Sequence, residues 1–165
     1  EGYVAVDKGI GQPPLLRDLR FASKTVKNPN ARMLPGSRSV TVETGTNLSY
    51  ATRELTVTAG EALKFTLVNG DTVPHNWVLV KPGKLTSVAA AANQLIADPE
   101  AWIRHYVPES EDVLAYTDVV DPGARYTIQF RAPKELGRYP FVCTFPGHSL
   151  AMNGVLVVEG DAKSQ

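Results

Sequence analysis

One string concentrates the reactive side chains of this 165-residue chain: C-T-F-P-G-H-S-L-A-M, residues 143–152. It sets a thiol, an imidazole and a thioether at the spacing Cys143-x4-His148-x3-Met152. These are soft and borderline donors, the set that suits copper cycling between two oxidation states. Pro146 and Gly147 supply a bend that can turn all three toward one point. Each residue alone has a plainer use. A lone cysteine usually packs as a small hydrophobe, a methionine fills core, and a histidine is commonly a surface or hydrogen-bonded core residue. The joint pattern, set between two strands, has little packing rationale. A trigonal site of two imidazoles and a thiolate with a long axial thioether needs one more histidine. The chain has three, so the choice lies between His75 and His105. His75 opens the run HNWVLV after the turn NGDTVP, whereas His105 sits in WIRHY, a helical stretch. A histidine at the start of a strand can face a loop at the same end of a sandwich, and one on a flap does so less easily. His75 is the expected ligand.

The elements that must position these residues follow from periodicity. From residue 53 onward, alternating or β-branched runs predict strands at 54–58, 63–68, 76–80, 126–130, 139–143 and 154–158. Turn signals separate them: AGE, NGD, KPGK, DPGA and ELG. Short strands at this spacing predict an all-β fold, an antiparallel Greek-key sandwich or barrel. One segment departs from it. Residues 86–97 (TSVAAAANQLIA) carry apolar side chains at helical spacing. Thr86 or Ser87 can cap the start, and Asp98 with Pro99 offers a second start for a short turn through Tyr106. A helical flap is therefore expected around 86–106. Residues 1–50 are rich in turn formers, with short strand candidates at 3–6, 19–22 and 39–42, and read as an N-terminal arm packing on a main domain of 51–160. Residues 161–165 read as a tail.

Bulk properties exclude more than they assign. The 17 basic and 17 acidic residues cancel, so charge recommends neither nucleic acid nor an anionic membrane as partner. One cysteine, Cys143, forbids an internal disulfide. No stretch approaches the roughly 20 apolar residues that span a bilayer. The chain opens on Glu1 without a visible signal peptide, which reads as a processed chain or a domain of something longer.

The pair HNWVL at 75–79 and CTFPGHSLAM at 143–152 resembles the azurin branch of the small blue copper proteins, the cupredoxins, and is similar to auracyanin. The resemblance covers roughly 53–160 and includes the flap. It implies one type 1 copper, bound by imidazole nitrogen of His75 and His148 and the thiolate of Cys143, with Met152 axial. It implies that Asn76 ties the His75 strand to the loop near Thr144, and that the backbone N–H of Phe145 faces the sulfur. It implies an apolar docking patch at Pro146, Leu150 and Ala151, where His148 reaches the surface. Two departures stand out. Pro74 replaces the glycine whose carbonyl approaches copper in azurins, and the azurin disulfide is impossible here.

The function expected is single-electron transfer between redox protein partners, not catalysis. An alternative is the electron-receiving domain of a larger copper-containing or respiratory complex, membrane-associated as a whole. Nitrite reductases and multicopper oxidases need further histidines for catalytic copper, and one is left here. A hydrolase would want a G-x-S-x-G elbow, which is missing. Copper storage or delivery usually uses Met-rich or Cys-x-x-Cys segments, against two Met and one Cys here. An exported location, periplasmic or on the outer face of a membrane, goes with the resemblance.

Overall fold

The computed structural model describes residues 27–160. Two sheets face each other. The first, in the order β2-β1-β4-β7, holds β1 (Arg38–Gly45), β2 (Ser49–Tyr50), β4 (Ala62–Val68) and β7 (Arg125–Arg131). The second, in the order β3-β9-β8-β5-β6, holds β3 (Glu54–Thr58), β5 (Val78–Val80), β6 (Val113–Tyr116), β8 (Gly137–Val142) and β9 (Asn153–Glu159). Pairing is antiparallel except at β1 with β4 and β3 with β9, which run parallel. This is the expected Greek-key β-sandwich.

Alternation explains which faces meet. In β4, Leu63, Phe65 and Leu67 are buried while Lys64 faces out. Ile128 and Phe130 of β7 and Leu156 and Val158 of β9 complete the facing layers. Trp77 lies at the centre, fully buried and stacked on Phe65 at 4.1 Å between ring centroids. In β5 every residue is buried, which accounts for its unbroken apolar run. One side faces this core, and Val78 and Val80 on the other side are covered by Val88 of the flap and by Val107 just beyond it.

The flap is a helix, α1 (Leu85–Gln94), followed by 3-10 turns at Leu95–Ala97 and Ala101–Arg104. Neither Thr86 nor Ser87 caps it. The helix starts one residue earlier, with no side-chain cap, and the Ser87 hydroxyl donates to the Lys84 carbonyl instead. Asp98 and Pro99 do not open the second start either: that turn begins at Ala101 after Glu100, with no side-chain cap, and the Asp98 carboxylate accepts the Glu100 N–H at 2.9 Å just ahead of it.

Other differences concern the ends of elements. The sandwich takes in part of the expected arm, because β1 pairs along its length with β4. Strand 39–42 is thus longer and structural, and a boundary at residue 50 cuts through the first sheet. β2 and β6 escape the sequence reading because two and four residues are too short for a period. The expected strands 3–6 and 19–22 and the tail 161–165 lie outside the described residues. Among the described residues no helix is long and apolar enough to cross a membrane.

Candidate metal centre

Two backbone devices bring the reactive side chains to one end of the sandwich. His75 sits just before β5, in an isolated bridge with Val120: each N–H donates to the other's carbonyl, at 3.1 and 2.7 Å. Cys143 follows β8, and its N–H donates to the Met152 carbonyl at 2.9 Å. That bond closes the loop between β8 and β9 at its base. Within the loop the His148 N–H donates to Phe145, and the Ala151 and Met152 N–H groups donate back to His148. Gly147 takes φ +83° at the bend, a region that a side chain disfavours.

The result is a buried triangle. Cys143 Sγ lies 3.8 Å from His75 Nδ1 and 3.6 Å from His148 Nδ1, and the two nitrogens are 3.2 Å apart. The point equidistant from all three atoms is about 2 Å from each, the range of metal–nitrogen and metal–sulfur bonds. Hydrogen bonds alone satisfy such a cluster poorly, because two facing ring nitrogens can share at most one proton. The donor set and its spacing fit a single soft or borderline metal ion. His75 and Cys143 are fully buried, and His148 keeps 8% of its surface. Met152 is also fully buried, at the foot of the loop.

Electrostatics bear on how these side chains would bind a cation. Burial pushes the Cys143 thiol up to about 11, against the backbone N–H groups of Asn76 and Phe145 that face the sulfur. A metal ion must therefore displace its proton. Burial, and then the neighbouring His75, lowers the His148 pKa, which keeps that ring neutral and its lone pair available.

Surrounding groups fix the geometry. Asn76 clamps three segments: its carbonyl oxygen accepts the Thr144 N–H at 2.8 Å, and its amide donates to the Thr144 hydroxyl at 2.8 Å and the His105 carbonyl at 2.9 Å. The Phe145 ring packs against His148, with centroids 5.1 Å apart, and Tyr106 meets Phe145 edge-on at 5.4 Å. Ser149 reaches Asn93 of α1. On the outside, Leu150 is 87% exposed, Gly147 and Ala151 are exposed, and Pro146 is half-buried.

His105 is not in the triangle. Its Nδ1 accepts the Val119 N–H, and its Nε2 lies 3.2 Å from Asp118. Three contributors escaped the sequence reading. Asp71 meets His75 Nε2 at 3.0 Å. Asn69 braces the loop that carries Asp71. Tyr50, assigned to the arm, is buried under the site and donates its hydroxyl to the Asn76 carbonyl at 2.6 Å. Of these only Asp71 left a signal, an acidic residue four before the histidine in a turn.

Comparison with known proteins gives the same picture. Residues 37–159 match the family model described as copper binding proteins, plastocyanin/azurin family. Auracyanin-A of Chloroflexus aurantiacus is 35% identical over 128 residues, covering 74% of this chain and 76% of that protein. Auracyanin-B of the same organism is 36% identical over 114 residues, covering 67% of this chain and 47% of that protein. The solved structure of auracyanin A, described as a "blue" copper protein, superposes with a TM-score of 0.66 at 32% identity, covering 75% of this chain and all of that one. On the strength of this match in sequence and fold, the chain belongs to the plastocyanin/azurin family of copper-binding proteins, and its cofactor is one type 1 copper.

Proposed function

We propose that this protein carries single electrons between redox protein partners, with copper held by His75 Nδ1, His148 Nδ1 and the Cys143 thiolate and weakly capped by Met152. The observation that carries the reading is the buried triangle of two imidazole nitrogens and a sulfur. The bound copper supplies a centre that accepts and releases one electron. The chain supplies rigidity. Asn76 locks the His75 segment to Thr144, and the loop is closed by the Cys143–Met152 backbone bond. Ligands held this firmly move little when the charge on the metal changes, so little reorganisation opposes the transfer.

Electrons enter and leave on the His148 side. His148 keeps a small accessible edge where His75 and Cys143 have none, and the groups around it, exposed Gly147, Leu150 and Ala151 and half-buried Pro146, carry no charge. Weak redox encounters bury less than about 1,200 Å² in total, an area that a small apolar face can satisfy. We place the protein outside the cytoplasm, periplasmic or on the outer face of a membrane, as a free carrier or as one domain of a larger complex.

The copper-loaded protein should show the intense blue thiolate-to-copper band. A colourless copper form would overturn the ligand assignment. Leu150→Lys tests the route: the band and the potential should persist while electron self-exchange slows at least tenfold, because like charges now meet. An unchanged exchange rate in a folded, blue variant would move the route away from His148.

A further inference from the structure

The nitrogen of His75 that points away from the triangle is not free. Its Nε2 lies 3.0 Å from the Asp71 carboxylate, and the Asp71 side chain is only 14% exposed. The other Asp71 oxygen accepts the Thr72 N–H at 2.7 Å, so the two oxygens have separate tasks. The loop is built to hold this contact. The Asn69 side chain makes four hydrogen bonds, accepting from the Thr44 hydroxyl and the Asp71 N–H and donating to the Val73 and Val120 carbonyls, all between 2.8 and 2.9 Å. Asn69 is fully buried. Val120 is also the bridge partner of His75, so one asparagine fixes both the strand that holds the ring and the loop that holds the carboxylate.

The charge of Asp71 is not cancelled elsewhere. Among the described residues its ion-pair partner is His75, and no lysine or arginine joins it.

We propose that Asp71 is a positioning and tuning residue of the copper site. Its carboxylate takes the Nε2–H of His75, which leaves the Nδ1 lone pair facing Cys143 and His148. Its negative charge, passed through the ring, favours the oxidised and more positive metal. A carboxylate behind a metal-binding imidazole sets ring orientation and raises ligand basicity. The inference rests on the copper reading given above and adds a residue to it.

Three variants test it. Asp71→Asn keeps the shape and an acceptor oxygen but removes the charge. Asp71→Ala removes both. Asp121→Asn deletes a like charge from an exposed residue on the loop beyond Val120, without touching the ring. In metal-free protein, nitrogen NMR should show His75 as the Nε2–H tautomer in the wild type and in Asp71→Asn, and as a mixture in Asp71→Ala. In copper-loaded protein, voltammetry should show Asp71→Asn favouring Cu(I) over Cu(II) by about tenfold more than the wild type, about 59 mV for one electron, with a clearly smaller shift for Asp121→Asn. A potential in Asp71→Asn that moves no further than in Asp121→Asn would overturn the tuning role. An unmixed tautomer in Asp71→Ala would overturn the positioning role. Should Asp71→Ala not fold, the isosteric Asp71→Asn alone decides through its potential. Failure of the copper reading itself would look different, as a wild-type protein without the blue band.

Discussion

Cys143 shows how one side chain can be legible in type and opaque in environment. Its spacing to His148 and Met152 marks it as a soft-metal ligand from the sequence alone. That burial raises its pKa while two backbone N–H groups oppose the shift depends on packing. The same holds for Asp71 and Tyr50. Their partners, His75 and the Asn76 carbonyl, come into reach only through a loop shape and a sheet pairing. Two predictions belong to this scale. Cys143→Ser replaces a soft sulfur with a hard, weakly acidic hydroxyl, so the blue band should vanish even where copper still binds, as absorption of the loaded variant will show. Met152→Leu should retain copper and raise the potential, because a thioether favours the oxidised metal. Met152→Gln should lower it, since an amide oxygen is a harder donor. Voltammetry without a shift in either variant would mean that Met152 does not touch the metal.

Among the elements, the strands were legible because alternation and turn residues mark them locally. The flap was legible from its helical period. Neighbours in the sheets were not, because a strand's own residues do not say which distant strand lies beside it. β1 is the clearest case: its β-branched run is visible, but its parallel place beside β4 is not. The flap also has an anchor that no local pattern announces. Asp118 faces His105, accepts the Asn28 amide at 2.9 Å and takes a hydrogen bond from Tyr126. Burial works to raise the Asp118 pKa, but the close His105 ring and the hydrogen bonds from Asn28 and Tyr126 outweigh it and hold the carboxyl below the ordinary range. A depressed carboxylate stabilises the fold above its unfolded pKa, about 3.9, and loses that contribution as pH falls through the folded value. Asp118→Asn should therefore cost about 1–3 kcal/mol at pH 7, with the gap from wild type closing below pH ~4. Denaturant titrations at both pH values measure this, and a gap of constant size would rule out the charged network as its source.

At the level of the whole molecule, the metal site is assembled on a scaffold held together by contacts of protein with protein. The core around Trp77, Phe65, Phe141 and Tyr50 is aromatic and closely packed, and the ligand segments are held by hydrogen bonds of protein to protein. Removing copper should leave the β-sheet circular dichroism unchanged while lowering the melting temperature, since a ligand bound only to the native state stabilises it by mass action. A metal-free protein without native sheet signal would show instead that the metal organises the fold.

The placement of the first and last strands among the described residues has a mechanical consequence. β1 lies inside its sheet, between β2 and β4, and β9 lies inside the other, between β3 and β8. β9, flanked along its length, cannot be peeled from an edge one hydrogen bond at a time, whereas β1 meets β2 only at Thr44 and Gly45 and is otherwise open on that side. Each is also paired in parallel on one side, β1 with β4 and β9 with β3, so tension along such a strand loads a row of bonds together, in shear. A domain tethered through residues near 38 and 160 would resist force more firmly at the β9 end than at the β1 end. The ligand loop, which leaves β8 and returns at the first residue of β9, would feel the pull only after those rows had failed.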